Sequence, residues 1–281
     1  MFAAFQPNQR RLLWCATAGF LASIAAVVPP ADAGYIRDGQ ISHGDRVKVD
    51  WNGTSGNLYG GGEFRMLHHD GSGWSPLKVF TFCLEVNENI RLHTEFLVGG
   101  LGDTAVFGSL GPNSGGRALA SETQFLYNAY ATGGLTDIGF VAGDSRWASA
   151  FQRVIWHFQD QSDALGWQAA FASGSHDQIL VDFANQYAQE GTDYGVFAMN
   201  LFNTSAEPTA AFEKFKSDDP STYPAMYDFR AQDMLVYIPP PPQDGPTPQP
   251  VPEPASIAVW TLALAGLAIA RRRQLSAPIQ L

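Results

Sequence analysis

Cys83 and Gln152 are the residues whose types could meet in covalent chemistry. The chain has two cysteines. Cys15 lies in an apolar N-terminal stretch, which leaves Cys83 without a partner for an internal disulfide. A lone thiol in an oxidising compartment is either buried and inert or chemically engaged. Residues 79–86 read as a strand, on which alternation puts Phe80, Phe82, Leu84 and Val86 on one face and Val79, Thr81, Cys83 and Glu85 on the other. Cys83 is thus expected to point away from the more apolar face, although helices could cover the second face. Gln152 lies in residues 147–158, where Trp147, Phe151, Val154, Ile155 and Phe158 recur at helical spacing. At about 100° per residue, Gln152 falls on the flank of that stripe, from which its amide can reach the edge of the packed face. The plainer alternative is a solvent-exposed helical glutamine. His93 and His157 are candidate acceptors for the thiol proton, although a histidine is more often a surface or core residue. His68 and His69 are adjacent on a strand, so they point to opposite faces. No Cys or His completes a ligand set around them, and neither a metal nor a cofactor is expected.

The elements that must position these residues fall into two kinds. From residue 34 to about residue 107 the chain is rich in glycine and alternating residues, with strands expected at 47–51, 63–67 and 79–86. The pattern changes at Gly115-Gly116. Helices are expected at 117–131, closed by Gly133-Gly134, and at 145–161, 163–173 and 176–190. Strand pattern returns at 194–202 and 232–238. A helical insert between strands implies an α+β domain, an antiparallel β-sheet or barrel-like core carrying that insert.

Both ends read as sorting signals. Arg10 and Arg11 precede an uncharged apolar stretch over 12–28; Pro29-Pro30 stop it, and Ala31-Asp32-Ala33 supplies a small-x-small cleavage pattern. Signal peptidase is expected to cut between Ala33 and Gly34, making 1–33 a signal peptide. Residues 239–250 form a proline-rich linker that spaces the domain from the membrane. Val251-Pro252-Glu253-Pro254, the apolar run 257–270 and Arg271-Arg272-Arg273 together resemble the PEP-CTERM tail over 251–273. That resemblance implies recognition and removal by an exosortase-like enzyme; an ordinary tail anchor is the alternative. The apolar run is shorter than the roughly 20 residues of a full span, so it reads as a transient inner-membrane stop. The arginines, followed by a short tail at 274–281, would stay cytoplasmic. The expected location is outside the cytoplasm, in the cell envelope, on the surface or in the extracellular matrix of a Gram-negative-type bacterium.

Without its ends the chain keeps about 220 residues, enough for one sizeable domain or two small ones. The formal net charge is −10, and five of the basic residues lie in the two ends, so the domain is more acidic still. Nothing resembles the basic stripe of a nucleic-acid-binding protein.

Phe82-Cys83-Leu84-Glu85 and Phe151-Gln152-Arg153-Val154-Ile155-Trp156 resemble the paired signatures of bacterial surface thioester domains, in which an aromatic-Cys strand faces a helix with a Gln-x-Ala-Ile-Trp core. Leu126-Tyr127-Asn128 before Gly133-Gly134, and Ala231-Gln232-Asp233-Met234-Leu235-Val236, are similar to related domains of PEP-CTERM proteins. The resemblance covers 46–238, within an expected domain of 34–238. It departs from the family at Phe151, where Thr or Ala is usual, at Val154, where Ala is usual, and in a shorter interval between Cys83 and Gln152. The resemblance implies a Cys83–Gln152 thioester that attaches the protein to an amine-bearing surface or matrix macromolecule, in a protein that is not an enzyme. The main alternative is a non-reactive structural or matrix-binding protein of the same fold. A minor one is a cysteine hydrolase with His157 or His93 as base, although no glycine-flanked cysteine signature is present.

Overall fold

The computed structural model describes residues 36, 40–51, 62–88, 90–108, 111, 115–161, 171–216 and 219–240. The signal segment, most of the expected helix at 163–173 and the sorting tail lie outside the described residues. Among the described residues, no helix is long and apolar enough to cross a membrane.

Strands β1 (Arg46–Trp51), β2 (Phe64–His69), β3 (Trp74–Thr81), β4 (Glu95–Gly102), β7 (Val196–Asn203) and β8 (Met234–Tyr237) form one antiparallel sheet in the order β3-β2-β1-β4-β7-β8. A two-residue pair, β5 (Thr104–Ala105) with β6 (Arg117–Ala118), stands apart. The helices are α1 (Ser121–Thr132), α2 (Ser145–Phe158), α3 (His176–Tyr187), α4 (Ala210–Lys214) and α5 (Tyr223–Met226). The α+β class with an antiparallel sheet and a helical insert is therefore the observed one.

The barrel-like core is corrected to an open sheet. Its edges touch, because the chain just beyond β3 meets β8, but they do so through the isolated bridge Cys83↔Met234 rather than a ladder. Two further boundaries move. The expected strand at 79–86 ends at Thr81, and the start of the expected helix at 117–131 is the short strand β6, with α1 beginning at Ser121.

Period-two alternation explains the layers. Val47, Val49, Met66, Phe96, Val98, Met199, Leu201, Met234 and Val236 all face one apolar cluster, which Cys83 and Trp156 also join. Arg46 and Arg65, on the opposite face of β1 and β2, are exposed. The other face of β8 and of the first half of β7 turns Val196, Ala198, Leu235 and Tyr237 toward α1, α2 and α3. Leu97 and Phe202 pack against α4 and α5 in a third cluster. Both faces of the region around Cys83 are thus covered. The expected outward face of Cys83 is corrected: alternation does split Phe82 and Leu84 from Cys83, but it sends them to two different buried clusters.

Candidate functional site

Helix α2 carries the glutamine. Asp144 caps its N-terminus, its carboxylate accepting from the Arg146 and Trp147 N–H groups at 2.8 and 3.2 Å. The Arg146 side chain, together with these donors, holds the Asp144 carboxyl down at about 2. Trp147, Phe151, Val154 and Ile155 are buried as the stripe requires, but the buried face is wider than the stripe and takes in Ala148, Gln152 and Trp156. Gln152 is fully buried, at 0 % exposure. A buried carboxamide is tolerated only where its polar atoms find partners, and the partner here is the main chain of Cys83.

Beyond β3, the Leu235 N–H donates to Phe82 C=O at 3.0 Å and the Leu84 N–H to Asp233 C=O at 2.9 Å. In extended chain this pairing leaves the Cys83 N–H and C=O pointing to the opposite edge. Gln152 occupies that edge: the Cys83 N–H donates to Gln152 Oε1 at 2.9 Å, and Gln152 Nε2 donates to Cys83 C=O at 2.7 Å. The structure therefore brings the two expected site residues together. Cys83 is a free, buried cysteine, 4 % exposed. Burial, reinforced by the charge of Glu85, pushes its thiol well up, so it rests protonated.

The candidate proton acceptors lie elsewhere. His93 is largely exposed and sits 3.1 Å from Asp50 on β1, with its backbone at φ 61°. His157 is an exposed residue of α2 whose ring meets Phe158 and Phe171. Five residues beyond Gln152 it points about 140° away around the helix. A thiol that burial keeps protonated gains nothing from a base on the surface, and the expectation for His93 and His157 has no described contact behind it. Among the described residues, no group of three or more His, Cys, Asp and Glu is placed to hold a metal ion.

Two features beside the pair were missed in the sequence. One is Gln161, which repeats the grip of Gln152 further along: the Val86 N–H donates to its Oε1 at 2.6 Å, and its Nε2 donates to Leu84 C=O at 2.7 Å. The sequence carried a faint signal, since Gln161 sits at the end of an amphipathic helix facing a strand. The other is a buried carboxyl cluster of Glu85, Glu88 and Asp233. Glu85 accepts from the N–H groups of Phe107, Gly108 and Asp233, at 3.1, 2.6 and 3.1 Å. Asp233 accepts from Val106 N–H at 2.7 Å, Asn200 Nδ2 at 3.0 Å and Leu201 N–H at 3.1 Å. Burial raises both carboxyls, against the pull of these donors. Glu88, paired with Arg230 at 2.9 Å, is pushed up to about 11 by burial and by the charges of Glu85 and Asp233, with Arg230 opposing. The cluster holds the segment after β5 and the start of β8 around Cys83.

Comparison of the chain with protein-family models, with curated proteins and with solved structures gives no match.

Proposed function

We propose that this chain is an exported cell-surface or matrix protein whose domain forms an internal thioester between Cys83 and Gln152 and uses it to acylate an amine on a partner macromolecule. The observation that carries the reading is the Gln152 carboxamide seated on the Cys83 main chain at 2.9 and 2.7 Å inside the core. The carboxamide lies along the hydrogen-bonding edge of residue 83, whereas a strand side chain leaves perpendicular to that plane. The sulfur thus approaches the face of the amide, the direction from which a nucleophile adds to a carbonyl.

Sγ attacks Cδ of Gln152, and the negative charge that develops on Oε1 is met by the Cys83 N–H that already donates to it. Because burial holds the thiol protonated, its proton moves to Nε2 as the C–S bond forms. The C–N bond breaks and ammonia leaves; no oxidant or reductant is needed. A partner amine then attacks the thioester carbonyl, forming an amide on Gln152 and returning the Cys83 thiol. The N-terminal signal pattern and the PEP-CTERM-like tail support placement outside the cytoplasm, with signal peptidase and an exosortase-like enzyme as processing partners.

A second reading, a non-reactive structural or matrix-binding domain, is favoured by one observation. Gln161 makes the same pair of main-chain bonds with no sulfur beside it, so a glutamine on this strand is also a sufficient structural clamp. Mass separates the two. A joined pair makes the protein lighter than its sequence by one ammonia, resists thiol labelling, and on methylamine treatment gains the amine at Gln152 while freeing the Cys83 thiol. Cys83→Ala and Gln152→Ala each abolish both effects. A full-sequence mass with a freely labelled Cys83 after denaturation would overturn the thioester and leave the structural clamp.

A further inference from the structure

Helix α2 does not simply stop at Phe158. Asp160 adopts φ 50°, in the left-handed region that non-glycine residues seldom enter. Its N–H donates to His157 C=O at 3.0 Å, and the next residue, Gln161, donates its N–H to Trp156 C=O at 2.8 Å. These two bonds are those of a Schellman close, in which the chain reverses over the last helical turn. Glycine is the usual residue at the left-handed position because it lacks the Cβ penalty. Here Asp160 takes it, and its carboxylate is ion-paired with Arg117 on β6. The reversal turns the buried Gln161 side chain onto Leu84 and Val86. One helix therefore holds the chain on both sides of its bend, with Gln152 at Cys83 and Gln161 at Leu84 and Val86.

We propose that Gln161 is a positioning residue for the Cys83–Gln152 reaction. It fixes the chain immediately after Cys83, so that the sulfur is presented to the Gln152 carboxamide rather than swinging with a loose Leu84–Val86 segment. Arg117 and Asp160 supply the helix close that aims it. The proposal rests on the thioester reading, because a positioning role has meaning only if the bond forms. Its physical basis is steep: reactions between held groups lose rate quickly when one group is misplaced, about 100-fold for a shift of about 1 Å.

The test follows bond formation in the refolding full-length chain, by the loss of one ammonia, for wild type, Gln161→Ala, Gln161→Glu and Met226→Ala. Met226 is buried in the third cluster, away from Cys83, and serves as a control for lowered stability alone. Gln161→Ala is expected to slow bond formation by about 10-fold or more in molecules that have regained native near-UV circular dichroism, while Met226→Ala forms the bond at the wild-type rate. Gln161→Glu is slow when ionised, because a carboxylate cannot donate to Leu84 C=O. Once protonated it presents one donor and one acceptor like the amide, so its rate relative to wild type rises as pH falls. That pH-dependent rescue also decides the matter if Gln161→Ala does not fold. Bond formation at the wild-type rate in Gln161→Ala, or a pH-independent ratio for Gln161→Glu, overturns the positioning role alone. A wild-type chain that never loses ammonia overturns the thioester reading and this proposal with it.

Discussion

Glu85 and Asp233 meet in the interior through the main chain, the Asp233 N–H donating to Glu85 Oε2 at 3.1 Å while both side chains are nearly inaccessible to water. With Glu88 they put three carboxyl groups around one arginine, Arg230. A cluster so poor in cations keeps protons that its members would release in the unfolded chain. Glu85, Glu88 and Asp233 are all raised by burial, Glu88 to about 11. The sign follows from linkage: a carboxyl raised on folding binds more protons in the native state, so stability declines as pH climbs through the window between the unfolded and folded values. Asp70, Asp144 and Asp219 are lowered, so their contribution is present above the ordinary carboxylate range and is lost only below it. Urea midpoints are therefore expected to fall from about pH 5 to about pH 9. Glu88→Gln, which keeps an oxygen for Arg230, should flatten that fall and stabilise the protein at the alkaline end. Midpoints that rise with pH, or a variant with the wild-type slope, would count against a proton-holding cluster.

Gly99 in β4 marks a close approach of two aromatic rings. A Cβ built there collides with the ring of Phe202 and comes within 2.6 Å of the Phe215 ring. The strand register also shifts between Val98 and Gly100, so the backbone is already irregular where it passes these rings. Gly99→Ala is expected to overpack this corner and cost about 1–3 kcal/mol, read as a lowered denaturant midpoint with an unchanged slope. An unaltered midpoint would mean that Phe202 and Phe215 repack freely.

These positions show what could be read from residue order. The strands at 47–51 and 63–67 and the helix beginning at Ser145 were legible because one of their faces meets water, which gives alternation and helical periodicity their contrast. Strand β4 was not, because Phe96, Leu97 and Val98 are buried on both faces and are followed by two buried glycines. The pairing of Cys83 with Gln152 came from a family resemblance and not from periodicity, which placed Gln152 only on the edge of its stripe. Full burial of Gln152 depends on a hydrogen-bonding edge 69 residues away, created where the two borders of the sheet touch. Gln161 was invisible for the same reason, since it works only after Asp160 reverses the chain. The two histidines drew attention by residue type, and folding left both near the surface.

Arg153 and Asp177 bind α2 to α3. Arg153 Nε and an Nη reach the two Asp177 carboxylate oxygens at 2.6 and 2.8 Å, with the Asp177 side chain only 10 % exposed. A two-pronged pair of this kind fixes geometry as well as adding energy, and Arg153 adjoins Gln152 on α2. Arg153→Ala leaves a largely buried carboxylate without its charged partner and is expected to cost about 1–3 kcal/mol. Arg153→Lys should recover only part of this loss, because an ammonium cannot reproduce the planar fork. Equal midpoints for wild type and Arg153→Ala would show the pair to be energetically silent.

Burial of the Cys83–Gln152 pair also makes a prediction about rate. Gln152 is 0 % and Cys83 4 % exposed, so a thioester between them would have no open path for an incoming amine. Aminolysis would then wait on a local opening of the protein. The chain offers a natural site for it: Cys83 joins the sheet through one bridge and is otherwise held by the Gln152 clamp that the bond would replace. Local openings of this kind expose surface, and their populations grow with denaturant well below global unfolding. Methylamine is accordingly expected to react more slowly with the native protein than with a small-molecule alkyl thioester at the same pH. The rate should climb exponentially with urea before the circular dichroism changes. Mass spectra taken against time at several urea concentrations measure this directly. A fast rate indifferent to urea would mean that the pair is open to solvent in the native protein and that partner capture needs no conformational step. A slow, urea-sensitive rate would make opening of the 82–86 segment the event that a partner must trigger.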